Sequence, residues 1–378
     1  MNTRVLLMLD RETASRERRL VRRLRPLLAE EGVDLVPAVP DDAVLLFDDP
    51  AYETALPYRP RGLSFTRSVR VSDLVARLGP VLRGGQRLGA VHAFGRGCFR
   101  FAAELATRVQ ATLCLETQRP DDLRAARWVP SVLGDRCDWT MLVPGEPFVR
   151  AAVRDGLAPG AVRVVPWGVP AADTPPARPA SDEDVSIVVS GLGDDPRAMH
   201  GAIEGIADAA RSTERVLVLL DAHAARRARL WPTVRRLKLD SRLSLVPLMQ
   251  GRRELVLHAD LFVLPEAVGV HSTLPLDLAA HGACGVVARD PLVPWQSDPR
   301  FAVQLDQPKP HDWARTIEAL INDPAARRDQ GKSARDAARS SNRLTSHAAA
   351  LLRVYDWASR RDAIRLPSET GEPSGSLR

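Results

Sequence analysis

The sequence predicts an α/β protein with two doubly wound parallel sheets, one in each half of the chain. Two observations lead to this prediction. Short apolar runs typical of buried strands alternate with amphipathic stretches at helical spacing, as in parallel sheets whose crossovers are helices. The alternation stops once, at a Pro-rich and acidic stretch between residues 170 and 184, and then begins again. We therefore expect two Rossmann-like domains facing each other across a cleft.

The first half opens as a β-α-β unit. A strand is predicted at residues 5–9, an amphipathic helix over residues 15–31, and a second strand at residues 34–36 after Gly32. Further strands are predicted at residues 44–47, 90–92, 112–115, 139–143 and 162–165. Helices are predicted between them at residues 72–82, 99–109 and 146–155.

The second half repeats the alternation. Strands are predicted at residues 185–190, 216–220, 243–246, 261–264 and 286–287. Helices are predicted at residues 199–210, 224–237, 276–281, 313–321 and 324–338. The domain boundaries predicted from these elements are an N-terminal domain over 1–169, a linker over 170–184, a C-terminal domain over 185–343, a helix over 344–361 that packs back on the N-terminal domain, and a disordered tail over 362–378.

Composition excludes several classes of protein. The 378 residues are 45% hydrophobic, which is ample for packed cores and excludes global disorder. The net charge is +6, but the cations are spread along the chain and nearly all are Arg, so no nucleic-acid partner is indicated. No apolar run reaches the ~20 residues of a membrane span. The apolar run at the N-terminus is too short for the core of a signal peptide, so we expect a cytoplasmic protein. The four cysteines lack metal-ligand spacing, so no metal site is expected.

Several stretches, in order and spacing, resemble the family 4 glycosyltransferases, which have the GT-B fold. They are residues 145–157, 162–169, 259–265, 277–282 and 313–331. In the fourth, Asp-Leu-Ala-Ala-His-Gly stands where the family has Glu-Ala-x-Ala-x-Gly. The resemblance implies a retaining, metal-independent transferase. Its nucleotide-sugar donor would be a substrate, and no cofactor is expected.

The resemblance places the donor's diphosphate at a glycine-rich turn formed by Gly191 and Gly193. Arg197 stands at the family's phosphate-binding Lys position, and the change keeps the positive charge. Leu192 stands at the position of the family's Arg and keeps no charge. The alternative interpretation of Arg197 is a solvated loop residue near two aspartates.

Two family carboxylates should follow, eight positions apart. The second maps onto Asp277, which would hold the donor's ribose or favour the dipole of its own helix. The first maps onto Gly269, so its role is lost unless Glu266 substitutes for it. The start of the next helix offers hydroxyl and N–H groups to phosphate, from Ser272, Thr273 and Leu274.

Two residues of the N-terminal half are candidates for catalysis. His92 ends a predicted strand that resembles the family's strand ending in His at the cleft, and Glu116 stands near the acceptor side. A structural histidine and a loop-capping glutamate are the alternative interpretations.

The departures at Leu192, Gly269 and Glu116 support a second hypothesis, a catalytically inactive GT-B scaffold that binds a ligand or partner. A nucleotide-sugar epimerase fits the C-terminal motifs less well. The acceptor is left open among a glycan, a lipid-linked molecule and a small molecule. Arg18, Arg22 and Arg25 fall on one side of the first helix, which predicts either weak peripheral contact with the inner membrane face or a solvated surface.

Overall fold

The computed structural model describes residues 3–47, 55–60, 64–82, 88–170, 184–213, 215–247, 249 and 253–365. Within these ranges the chain forms two parallel sheets flanked by helices, so the predicted fold class is confirmed. Residues 171–183 of the predicted linker and residues 366–378 of the predicted tail lie outside the described residues. Residues 362–365 belong to the last helix.

Seven strands of the described chain form the N-terminal sheet. They are β1 (Thr3–Leu9), β2 (Val33–Pro40), β3 (Leu56–Tyr58), β4 (Leu88–Phe94), β5 (Thr112–Glu116), β6 (Trp139–Val143) and β7 (Val162–Val164). Their order is β3-β2-β1-β4-β5-β6-β7, and neighbouring strands are parallel. The strand order reverses between β1 and β4, which is the type of switch point where open α/β sheets bind ligands.

Six strands of the described chain form the C-terminal sheet. They are β8 (Val185–Val189), β9 (Val216–Asp221), β10 (Leu243–Val246), β11 (Leu261–Leu264), β12 (Cys284–Ala288) and β13 (Ala302–Leu305). Their order is β10-β9-β8-β11-β12-β13, again with parallel neighbours. The switch point of this sheet therefore lies between β8 and β11.

Helices cover the faces of both sheets. Those of the N-terminal half are α1 (Arg11–Glu30), α2 (Ser64–Val81), α3 (Phe99–Val109), α4 (Pro120–Ala126), α5 (Val129–Leu133) and α6 (Glu146–Arg154). Those that follow are α7 (Pro196–Ala209), α8 (Ala222–Arg227), α9 (Trp231–Arg236), α10 (Thr273–Ala280), α11 (Pro310–Asn322), α12 (Pro324–Ser341) and α13 (Leu344–Arg365).

Helix α1 begins before its predicted start at residue 15. The side chain of Asp10 caps it by accepting a hydrogen bond from the N–H of Thr13 at 2.8 Å. Its apolar stripe, which includes Leu20 and Leu24, packs in the core against the N-terminal sheet. The cap and the stripe together place α1 at the end of β1, beside the cleft.

The strand predicted at residues 44–47 is wrong. Strand β2 continues to Pro40, and the chain then forms a 3-10 helix over Asp41–Phe47. The edge strand that follows is β3 instead. A short apolar run does not distinguish a strand from a buried helical turn, which is why the periodicity failed here.

Helix α13 packs on the N-terminal sheet, although it follows the C-terminal domain in the chain. Its buried residues Leu351, Val354 and Tyr355 share one core cluster with residues of β1 and β4. The hydroxyl of Thr112 in β5 also donates to the carbonyl of Ala358 at 3.3 Å. The helix therefore ties the end of the described chain to the first domain.

The chain passes between the two halves at two neighbouring places. The N–H of Val169 donates to the carbonyl of Asn342 at 2.9 Å, and the N–H of Leu344 donates to the carbonyl of Val169 at 3.1 Å. A Cβ atom at Gly168 would collide with the carbonyl of Arg343 and lie 2.8 Å from the N–H nitrogen of Leu344. Glycine at 168 is what permits this close approach.

We expect Gly168→Ala to lower the free energy of unfolding by about 1–3 kcal/mol, because the added methyl group overpacks the crossing. Gly160→Ala is the matched control, since a Cβ atom there meets nothing within 4 Å. It should change the free energy by about 0.5 kcal/mol or less. Urea denaturation of the two variants measures the difference, and equal stabilities would refute this account of the crossing.

Candidate functional site

A small cavity lies at the switch point of the C-terminal sheet. Part of its wall is formed by residues that follow two neighbouring strands. They are Gly191 and Leu192 after β8, and Glu266 and Ser272 after β11. Arg16 of α1 completes the wall from the N-terminal half, so the cavity lies between the two domains.

The cavity has a volume of about 40 Å³. A buried water needs at least about 10–15 Å³ by this measure, so the space holds a few waters. Pockets for ligands of drug size have volumes of about 300–1,000 Å³. In this arrangement the site is closed to a ligand as large as a dinucleotide or a nucleotide sugar.

Glu266 fills the glycine-rich turn after β8. One carboxylate oxygen accepts the N–H groups of Leu192 at 2.5 Å and Gly193 at 2.9 Å, and the other accepts that of Asp195 at 2.6 Å. Gly193 has φ +73°, a left-handed conformation that glycine adopts readily. A Cβ atom at Gly191 would collide with the same carboxylate. The turn is an anion-binding nest whose anion is one of the protein's own side chains.

Glu17 of α1 occupies the first turn of α10. Its carboxylate accepts the N–H of Thr273 at 3.2 Å, the hydroxyl of Ser272 at 3.2 Å and the hydroxyl of Thr273. Ser272 also caps α10 by accepting the N–H of Leu274 at 3.3 Å. The N-terminus of α10, predicted to face phosphate, therefore faces a carboxylate from the other domain.

Arg253 lies between two carboxylates and is completely buried. Its guanidinium donates to Glu17 at 3.0 Å and to Asp277 at 2.6 Å. Burial by itself lowers the pKa of Arg253, but the two carboxylates outweigh burial and raise it above its usual value. The residue stays charged, and both of its neighbours are held in place by it.

Arg23 of α1 binds the other side of Asp277. Its guanidinium lies 2.7 Å and 3.0 Å from the two carboxylate oxygens. Asp277 has no solvent exposure, and both of its oxygens already accept hydrogen bonds. We call Glu17, Arg23, Arg253 and Asp277 the interdomain ion cluster. Asp277, predicted to hold a ribose, is committed to this cluster.

Gly269 belongs to the same interface. Its φ is +71°, its N–H donates to Asp290 at 2.5 Å, and a Cβ atom there would lie 2.9 Å from the ring of Pro120 in α4. Two residues later, the N–H of His271 donates to the carbonyl of Gln118 at 2.8 Å. A glutamate at 269 would not fit, and Glu266 is bound in the glycine-rich turn.

The remaining donor-site candidates lie apart from the cavity or line it without charge. Arg197 is exposed in the first turn of α7, whereas Leu192 and Leu274 are buried. Leu192 lines the cavity and Arg197 does not. Among the described residues, Arg16 lines the cavity and Arg253 lies beside it through its contact with Glu17. Sequence reasoning did not single out Arg253, because its partner Glu17 is distant in the chain.

His92 and Glu116 are buried together in the N-terminal domain. The Nδ1 atom of His92 lies 2.8 Å from the hydroxyl of Tyr355, and its Nε2 atom lies 3.0 Å from Glu116. Glu116 also accepts the indole N–H of Trp167 at 2.7 Å. Neither side chain lines the cavity, and both contact groups that join α13 to the sheet.

Two residues of the cavity wall each carry a buried polar group with no hydrogen-bond partner among the described residues. These groups are the indole N–H of Trp295 and the amide oxygen of Gln296, in side chains 6% and 4% exposed. Buried polar groups are normally paired, so these two require an explanation. Both follow β12 in a short 3-10 helix, Pro294–Ser297. Apart from that position, no sequence pattern pointed to these two residues.

The basic residues of α1 are divided between two roles. Arg19 pairs with Glu254 at 3.5 Å and Arg23 with Asp277, so this side of the helix contacts the C-terminal domain. Contact of Arg18, Arg22 and Arg25 with a membrane stays a prediction.

No helix in the described ranges is long and apolar enough to cross a bilayer. In the same ranges, no group of three His, Cys, Asp or Glu side chains could hold a metal ion.

Buried His347 of α13 should make stability depend on pH. Burial lowers its pKa to about 4, and neither ring nitrogen has a hydrogen-bond partner in the described chain. The unfolded chain, with an ordinary histidine pKa of about 6.5, therefore binds more protons between pH 6.5 and 4. The free energy of unfolding should fall as the pH drops through this window.

We expect His347→Phe to flatten this pH dependence with little loss of stability at pH 7.5, since no hydrogen bond is removed. Urea denaturation at pH 7.5 and 5.0 measures both effects. His311→Phe is the control, because His311 is exposed and should leave the slope unchanged. Identical slopes for His347→Phe and the unmodified protein would contradict the prediction.

Comparison with known proteins identifies the fold. No protein-family model matches the chain, and no curated protein matches its sequence. Among solved structures, Anabaena HepE in complex with UDP-glucose has a TM-score of 0.70 at 11% identity, covering 93% of this chain and 99% of that one. Sucrose-phosphate synthase from Thermosynechococcus elongatus has a TM-score of 0.66 at 13% identity, covering 95% and 100%.

A third similar structure carries the name of an epimerase. The putative UDP-N-acetylglucosamine 2-epimerase from Listeria monocytogenes has a TM-score of 0.60 at 14% identity, covering 96% of this chain and 98% of that one. Likeness at such low identity establishes the fold and leaves the reaction open. The chain has the GT-B fold, as its sequence predicted.

Proposed function

We propose that this protein transfers a sugar from a nucleotide-sugar donor to an acceptor. The observation that carries the proposal is the cavity at the switch point between β8 and β11, next to the N-terminus of α10. Ligands of open α/β sheets bind at such points, and helix N-termini favour the phosphates of nucleotides. The similar HepE structure holds UDP-glucose.

The donor's diphosphate would bind at the first turn of α10, where Ser272 and Thr273 present their hydroxyl groups. Arg253 and Arg16 would supply the positive charge that Leu192 does not. We propose that these side chains, instead of a metal ion, stabilise the leaving diphosphate and that transfer proceeds with retention. Asp277 could take the ribose only after Arg23 has moved away.

The unpaired groups of Trp295 and Gln296 suit sugar hydroxyls, which both donate and accept hydrogen bonds. His92 and Glu116 are given no contact with substrate in this proposal. They position β4, β5 and α13 through Tyr355 and Trp167. The acceptor would enter from the N-terminal side of the cleft, and its class is left open.

A second candidate function is favoured by the closed site. The cavity holds only about 40 Å³, and Glu17 and Glu266 already occupy the two places where an anion would bind. A chain that keeps this arrangement permanently would be a non-catalytic GT-B scaffold that binds a partner or another ligand. The two candidates differ in whether the cleft opens to a donor.

Calorimetry with UDP-, GDP- and ADP-sugars, followed by assays of donor hydrolysis, tests the first candidate. We expect one nucleotide sugar to bind and Trp295→Phe to weaken it about tenfold, the equivalent of one lost hydrogen bond. The variant keeps an aromatic side chain and removes an N–H that no described residue accepts, so no hydrogen bond within the described chain is lost.

Trp231→Phe is the matched control, since Trp231 is 40% exposed and does not line the cavity. It should leave donor binding unchanged. Arg197→Ala should also have little effect, because Arg197 is exposed away from the cavity wall. Absence of binding by every nucleotide sugar would refute the transferase proposal and leave the scaffold.

A further inference from the structure

We infer that Glu17 is an internal competitor for the donor's diphosphate and that it holds the two domains closed over the donor site. The inference rests on the proposed function for the identity of the ligand. Beyond that function, it explains how access to the site is controlled. The closed chain would exchange one anion, supplied by its own helix α1, for another supplied by the donor.

The surroundings of Glu17 are those of a bound anion. Its carboxylate accepts hydrogen bonds from the guanidinium of Arg253, from the N–H of Thr273 and from the hydroxyls of Ser272 and Thr273. The side chain is 1% exposed. Phosphoryl oxygens accept the same set of hydrogen bonds from arginine, hydroxyl and helix N-terminal donors. A phosphate group can therefore replace the carboxylate without loss of a partner.

The shape of α1 is adapted to this contact. The helix is interrupted at Glu17, where φ is −111° and ψ is 15°. Arg253 donates to the carbonyl of Arg16 at 3.1 Å, which inserts a side chain into the hydrogen-bond ladder of the helix. Such insertion is a recognised cause of kinks. The interruption thus lies at the residue that crosses between the domains.

The electrostatic balance of the ion cluster permits the replacement of Glu17 by a phosphate group. Two arginines face two carboxylates, so the cluster is neutral and its mutual attraction is largely offset by the cost of removing four charges from water. Opening the cleft returns Glu17 and Arg23 to solvent and leaves Arg253 paired with Asp277. A diphosphate, with about two negative charges, then attracts Arg253 more strongly than one carboxylate does.

An independent observation is that the closed form leaves two buried polar groups near the site unpaired among the described residues. Trp295 and Gln296 line the cavity that adjoins Ser272, and the indole N–H of the first and the amide oxygen of the second lack partners in the described chain. Glu17 satisfies the anion-binding groups beside this cavity but reaches neither of these two. A ligand with a phosphate at α10 and hydroxyl groups in the cavity would satisfy both sets.

The test compares Glu17→Gln with Glu12→Gln. Both remove a carboxylate of α1, but Glu12 pairs with Arg16 and Arg119 inside its own domain. Hydrogen exchange of the Thr273 and Leu274 amides, without ligand, should be about tenfold faster in Glu17→Gln and unchanged in Glu12→Gln. Arg23→Gln, which breaks the other arm of the cluster, should also speed exchange and serves if Glu17→Gln folds poorly.

Calorimetry with inorganic pyrophosphate completes the test. Glu17→Gln should bind pyrophosphate about tenfold more tightly than the unmodified chain, because the internal competitor has been removed. Unchanged exchange, or faster exchange with unchanged pyrophosphate affinity, would overturn the inference. Tighter pyrophosphate binding without binding of any nucleotide sugar would support it and refute the proposed function instead.

Discussion

The closed arrangement of this protein depends on one buried guanidinium. Arg253 contacts the carboxylates of Glu17 and Asp277 and the carbonyl of Arg16, and it has no exposure to solvent. Removing one partner from such a pair leaves an uncompensated buried charge, which is costly. The position of α1, the interruption of its helix and the pairing of the α10 N-terminus are consequences of this contact.

Two anion-binding features of the C-terminal domain are occupied by the protein itself. Glu266 fills the nest after β8 and Glu17 fills the first turn of α10. The two differ in origin, since Glu266 belongs to the same domain and Glu17 to the opposite one. A relative movement of the domains would remove only Glu17. The transferase and scaffold interpretations therefore depend on the free energy of that movement.

The sequence predicted most helices and strands because apolar periodicity reports which face of an element is buried. It misplaced the short element at residues 44–47, where four apolar residues fit either a strand or a helical turn. It pointed to Arg197 as a phosphate-binding cation and did not single out Arg253, since only the spacing of a resembling motif was visible. Arg253 and Glu17 are 236 positions apart and carry no local signal of their pairing.

The sequence by itself determined the two-domain α/β architecture, because strand and helix periodicities and the break near residue 170 are local properties. The tertiary structure decided what the polar residues do. Asp277, Ser272 and Thr273 could have faced a ligand, but the approach of α1 pairs them with Arg23 and Glu17. Burial between two domains converts charges that look solvated in the sequence into an ion cluster, and no local pattern encodes that approach.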